Sequence, residues 1–140
     1  MRLEVTKKTD LALQAMKCLG EGTLPGPELA ERIGVTTSYL PQIMNPLVKA
    51  GWVASAPGRN GGYTRTITLD QVSTLQLIET IEGPTDTGQC VLKGGPCPDE
   101  EHCALHLPWS RARTALLAEL GRTSLAEAYQ PCTYTEEAKA

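Results

Sequence analysis

Phenylalanine is absent and aromatic residues make up only 4% of the chain, so a core has to be assembled from Leu, Ile, Val, Ala and Met. Long apolar runs are missing as well. The longest uncharged stretch, Ile33 to Val48, carries two prolines and several polar residues and falls short of the roughly 20 apolar residues a membrane span needs. No apolar segment follows the charged start Met1-Arg2-Leu3-Glu4-Val5-Thr6-Lys7-Lys8. An export signal is therefore not expected, and the expected compartment is the cytoplasm with no membrane partner. Tight C-x2-C pairs are also lacking, which counts against a compact zinc motif and against a dithiol redox centre. Neither a phosphate-cradling glycine loop nor a base-and-nucleophile pair is found, so enzymatic activity is not expected.

What is present fits one soluble domain. The 140 residues are 41% hydrophobic and 21% charged, ordinary globular proportions. With 13 Gly and 10 Pro, the chain has room for a sizeable ordered loop or wing. The net charge of -3 conceals a split: residues 1–65 hold eight Lys/Arg against five Asp/Glu, and residues 66–140 five against eleven. A polyanionic partner should meet the first half.

Apolar periodicity places the helices. Thr6 can cap a helix to Leu19, with Ala12, Ala15, Met16 and Leu19 on one face and Gly20 ending it. Cys18 beside that stripe reads as a small buried core thiol. Pro27 suits the start of a short helix carrying Leu29, Ala30 and Ile33 and stopping at Gly34. Thr36 and Thr37 offer a further cap, and Leu40, Ile43, Met44 and Leu47 recur at helical spacing up to Gly51. Two short helices joined by a glycine turn are the signature of a helix-turn-helix. The second exposes Ser38, Gln42, Asn45 and Lys49, with Thr37 and Tyr39 at its edge. Such groups reach base edges and phosphates, although a solvated face would carry the same residues. Pro46 should bend this helix, while Pro41 lies near the first turn, where a missing N–H costs less.

Trp52–Ala56 and Tyr63–Thr68 read as two strands around Pro57-Gly58-Arg59-Asn60-Gly61-Gly62, a hairpin whose glycines permit close approach to a partner. Arg59 and Asn60 at the tip and Arg65 on the return strand make it a basic wing. Behind a helix-turn-helix, that wing points to DNA. Ser73-Thr74-Leu75-Gln76 opens another helix that ends at Gly83, and Pro108 starts a longer one with Trp109, Ala112, Leu116 and Leu120 on one face. Ser124-Leu125-Ala126-Glu127 resembles a second capping box. The fold class is thus mainly α with a small β wing: a winged helix-turn-helix over residues 1–83, a loop at 84–107, a dimerisation helix region at 108–129 and a tail at 130–140. The long stripe would form a two-fold dimer seam.

Five cysteines, an odd number, do not suit a disulfide framework. Cys90-x6-Cys97-x5-Cys103-x2-His106 lies in the Gly/Pro-rich loop. Three soft thiolates at wide spacing suit an iron–sulfur cluster, with a Cys3His zinc site through His106 as the competitor.

These motifs together resemble the winged-helix iron–sulfur regulators that include IscR, NsrR and RirA. The resemblance runs from about residue 1 to 128 and rests on Leu29-Ala30-Glu31, Ser38-Tyr39-Leu40, Leu47-Val48-Lys49-Ala50-Gly51-Trp52-Val53, Gly58-Arg59-Asn60-Gly61-Gly62-Tyr63 and the three cysteines. It implies a homodimeric transcription regulator, usually a repressor, that binds promoter DNA according to the state of a cluster held by Cys90, Cys97 and Cys103. Thr9-Asp10-Leu11-Ala12-Leu13 is similar to the NsrR branch, where the matching Asp completes a 4Fe–4S cluster from the partner subunit. Cys103-Ala104-Leu105-His106 is similar to the IscR branch, where the matching His completes a 2Fe–2S cluster. The reading adopted is Asp10 with 4Fe–4S, with His106 and 2Fe–2S as the alternative. Nitric oxide, redox state or iron supply would be the signal, and Thr37, Ser38, Tyr39, Gln42, Lys49, Arg59, Asn60 and Arg65 the DNA contacts. A winged-helix regulator with structural zinc and an electron-transfer protein are the rival readings.

Overall fold

A computed structural model describes residues 2–20, 22–92, 94–97 and 103–128. Helix α1 (Lys7–Cys18) starts where Thr6 accepts a hydrogen bond from Thr9 N and turns Leu11, Ala12, Ala15 and Met16 inward. Helix α2 (Gly26–Ile33) has Pro27 in its first turn and ends at Gly34, whose left-handed φ of 75° lets Val35 N reach back to Ala30 O at 2.9 Å. Helix α3 (Leu40–Lys49) begins later than the threonines predict. Thr36 instead organises a turn over 37–39, accepting from Tyr39 N through its side chain and from Leu40 N through its carbonyl.

Pro41 falls in the first turn of α3, where no helical donor is needed, and α3 continues through Pro46 to Lys49. Leu40, Ile43, Met44 and Leu47 are each at most 2% exposed and meet the inner faces of α1 and α2. Strands β1 (Val53–Ala56) and β2 (Gly62–Arg65) pair antiparallel with Val53 opposite Arg65 and Ala56 opposite Gly62. They stop earlier than the sequence predicts at the end away from the turn: Thr66 N still reaches Trp52 O, but Trp52 N is taken by Leu47 O at the end of α3, so the next ladder pair is not completed.

After a 3₁₀ turn at Leu69–Gln71, Ser73 and Gln76 form the expected reciprocal cap of α4 (Thr74–Glu82). Helix α5 (His106–Arg122) begins two residues before Pro108 and buries no residue within the chain. Ser124 and Glu127 make both capping-box bonds, yet residues 125–127 form a turn rather than a helix. Tertiary ties dictate that outcome: Leu125 is fully buried and donates from its N to Val72 O at 2.8 Å, and Thr74 N bonds Thr123 O at 2.8 Å. The predicted tail, residues 130–140 with Cys132, lies outside the described residues. No helix among the described residues is long and apolar enough to cross a membrane.

Candidate functional site

Between α4 and α5 the chain folds into a loop by local bonds. Gly83 leaves α4 at φ 91°, and Thr85 N turns back to the Glu79 carboxylate at 2.8 Å. Asp86 accepts from Gly88 N at 3.0 Å and pairs with Arg113 of α5 at 3.5 Å. Gly94 and Gly95, at φ 63° and 77°, make the reversal that sets Gln89 against Pro96. That reversal brings Cys90 and Cys97 to one point. Cys103 arrives from the other side, just ahead of α5, and its N–H donates to Cys97 Sγ at 3.2 Å.

The three sulfurs lie within 4.8 Å of one another, with Cys90 buried and the other two half-buried. None of the three is in a disulfide. Cys90 Sγ and Cys103 Sγ are 3.6 Å apart, well beyond the roughly 2.05 Å of a disulfide. Partial burial, then the hydrogen bond with Cys90, pushes the Cys103 thiol up from its ordinary value. Thiols bind metal as thiolates, so loading such a site releases protons. The donor set is soft, anionic when ionised and screened from water, which suits a thiophilic metal or an iron–sulfur cluster. Cys18 departs from the free core thiol expected of it: it is buried, but disulfide-bonded.

Within one chain neither proposed fourth ligand joins this group among the described residues. Asp10 lies in the first turn of α1, where its carboxylate accepts from Lys7 Nζ at 2.9 Å and Gln14 Nε2 at 3.1 Å. The Lys7 contact above all holds its carboxyl below the usual value, with Gln14 assisting against the opposing effect of burial. His106 is the first residue of α5, its N–H bonded to Cys103 O, and with Cys97, Trp109 and Arg113 it lines a cavity of about 370 Å³.

The other candidate surface is built by α3 and the wing. Thr37, Ser38, Gln42, Lys49, Arg59 and Asn60 are exposed, and Tyr39 is half-buried against the core. Gln42, Asn45 and Lys49 share the outer face of α3 at helical spacing while the apolar residues face in. Arg65 is placed differently. Half-buried at the foot of β2, it donates from Nη1 to Met16 O at 3.2 Å in the last turn of α1.

Sequence reasoning missed two anchors. Leu24 pairs with Tyr63 in both directions at 2.9 Å, so the close approach foreseen for the wing glycines is to the chain's own backbone. Glu82, at the end of α4, accepts from Thr6 N at 3.2 Å and from the Thr9 hydroxyl, closing the N-terminus of α1. An acidic residue 76 positions away carries no local signal for that role.

A family model described as an iron-dependent transcriptional regulator, Rrf2, matches residues 5–131. The chain belongs to the Rrf2 family. Over 126 residues this Rrf2 protein is 33% identical to the HTH-type transcriptional regulator IscR of Aliivibrio salmonicida, covering 90% of the chain and 72% of that relative. Among solved structures it is similar to CymR, the global cysteine regulator of B. subtilis, at 28% identity and a TM-score of 0.71, covering 96% of this chain and 99% of CymR. T. potens IscR matches at 26% identity and a TM-score of 0.67, covering 89% and 85%. The five helices and two-stranded sheet are thus the winged helix of this family, and the protein is an Rrf2 helix-turn-helix transcription regulator bearing a three-cysteine site.

Proposed function

We propose that this Rrf2 regulator is a homodimeric repressor whose grip on promoter DNA is set by an iron–sulfur cluster held by Cys90, Cys97 and Cys103. The convergence of three cysteine sulfurs within 4.8 Å, in a loop leading directly into α5, carries the reading. A cluster bound there would supply an inorganic centre open to nitric oxide, oxidants or iron loss. The protein's part is mechanical: thiols from both ends of the loop close it, and the loop sets the start of α5.

Asp10 is the proposed fourth ligand, with a 4Fe–4S cluster. Its separation from the sulfurs within one chain agrees with delivery across a two-fold axis. The exposed apolar surface supports that axis: no residue of α5 is more than half-buried, Leu107 and Leu116 are 61% and 41% exposed, and Leu3 and Val5 flank a groove lined by Ile78, Leu116 and Leu120. On the duplex, Thr37, Ser38, Tyr39, Gln42 and Lys49 would meet the major groove and its phosphates, and Arg59 and Asn60 the adjoining backbone or minor groove. A shift of α5 with cluster state would change the spacing of the two reading heads.

A structural zinc is the second reading, favoured by one distance. Zn–S bonds of 2.3 Å put tetrahedral sulfurs about 3.8 Å apart, close to the 3.6 Å between Cys90 and Cys103. Oxygen-free purification separates the two. Visible charge-transfer absorption with iron and acid-labile sulfide is expected, altered in Asp10→Ala and preserved in His106→Ala. Colourless, iron-free protein with undiminished promoter affinity would overturn the cluster reading.

A further inference from the structure

Three consecutive residues of β2 are fastened to the inner body, two to the Thr23–Leu24 segment that follows α1 and one to the last turn of α1 itself. Tyr63 exchanges both backbone bonds with Leu24, the Thr64 and Thr23 hydroxyls meet at 2.7 Å, and Arg65 Nη1 donates to Met16 O at 3.2 Å. Carbonyls in the last turn of a helix have no helical donor and carry the negative end of its dipole. In α1, Leu19 N satisfies Ala15 O at 3.0 Å and Arg65 reaches Met16 O. A guanidinium there meets both the hydrogen-bonding and the charge requirement.

We propose that Arg65 is a positioning residue that sets the angle of the wing against α1, and that it makes no phosphate contact. The proposal rests on the reading that α3 and the wing bind DNA. Its geometry sets it apart from Arg59, which is exposed at the tip. Arg65 is opposite Val53, a residue only 2% exposed, at the body end of the hairpin. It stands three residues back from Gly62, about 10 Å along the strand. With Arg65 removed, the direct tie to α1 is lost while those to Thr23 and Leu24 remain, so the angle at which the wing presents Arg59 and Asn60 is set less tightly.

Salt dependence tells the roles apart, because each phosphate contact adds about 0.9 to the slope of log K against log salt. The full chain, prepared as it purifies, is titrated with a duplex that the wild-type protein selects from a random-sequence pool. Arg59→Ala should lower the slope by about one. Arg65→Ala, shown to be folded by circular dichroism at the assay temperature, should lower affinity about fivefold with the wild-type slope. Arg65→Gln, a milder change for the case in which alanine does not fold, should also weaken binding at unchanged slope. A slope reduced by about one in either Arg65 variant would make it a phosphate contact. Undiminished affinity in a folded variant would make its role structural only. Either result overturns the proposal. Wild-type protein that selects no duplex would overturn the underlying DNA reading, a separate failure.

Discussion

At the scale of single residues, the wing depends on absent side chains as much as on present ones. Gly62 has φ 142°, and a Cβ there would press into the Leu24 carbonyl, while one at Gly61 would meet the Ala56 and Pro57 carbonyls. Backbone cannot move aside as a flexible side chain can. Gly62→Ala should therefore cost more than about 2 kcal/mol, read as a fall in the urea midpoint. Arg59 is the contrasting case, an exposed side chain with no fold contact to lose. Arg59→Ala should leave the melting temperature within about 2 °C, since exposed substitutions stay within roughly 0.5 kcal/mol. It should still weaken duplex binding on the order of tenfold at low salt. A large loss of stability would show that the residue belongs to the fold.

At the scale of elements, α1 is held at both ends by residues far away in sequence. The N–H of its N-cap residue Thr6 and the Thr9 hydroxyl meet Glu82 of α4, and its last turn meets Arg65. Glu82 directly precedes Gly83, where the cysteine loop begins, so α1 spans from the root of that loop to the foot of the wing. Glu82→Ala removes a carboxylate at the positive end of a helix and should cost about 1 kcal/mol. Differential scanning calorimetry should show a melting temperature lowered by about 3–5 °C. Glu82→Gln, which keeps an acceptor, should recover part of the loss.

At the scale of the whole molecule, α5 is the element on which the proposed dimer rests. Seventeen residues long and without a buried side chain, it is tied to the body by Thr74 bonding to Leu120 and Thr123 and by the Asp86–Arg113 pair. Exposed Leu116 shares a groove with Leu3 and Val5, and Leu107 is exposed on the same helix, so an apolar face is left for the proposed partner copy to cover. Placing a charge in that face with Leu116→Glu should shift the sedimentation coefficient toward the monomer and lower duplex affinity, while far-UV circular dichroism stays unchanged. A variant that sediments as wild type would move the dimer seam elsewhere.

Helical periodicity in Ala12–Leu19, Leu29–Ile33 and Leu40–Leu47, the Ser73 capping box and the Asn60-Gly61 hairpin are local signals, and local signals sufficed for the winged helix. Cysteine spacing likewise marked Cys90, Cys97 and Cys103 as one site, because three soft thiolates in one pliable loop can close on a single centre. Tertiary structure alone decided the rest. Ser124 to Glu127 has the bonds of a helix start but is drawn into a turn by the burial of Leu125 against Val72. Arg65 carries the charge of a DNA contact but faces a helix end 49 positions away. Sequence determines what a residue can do within its own few turns. Which partner it meets is chosen by packing between distant segments, where hydrogen bonds and burial outweigh local preference.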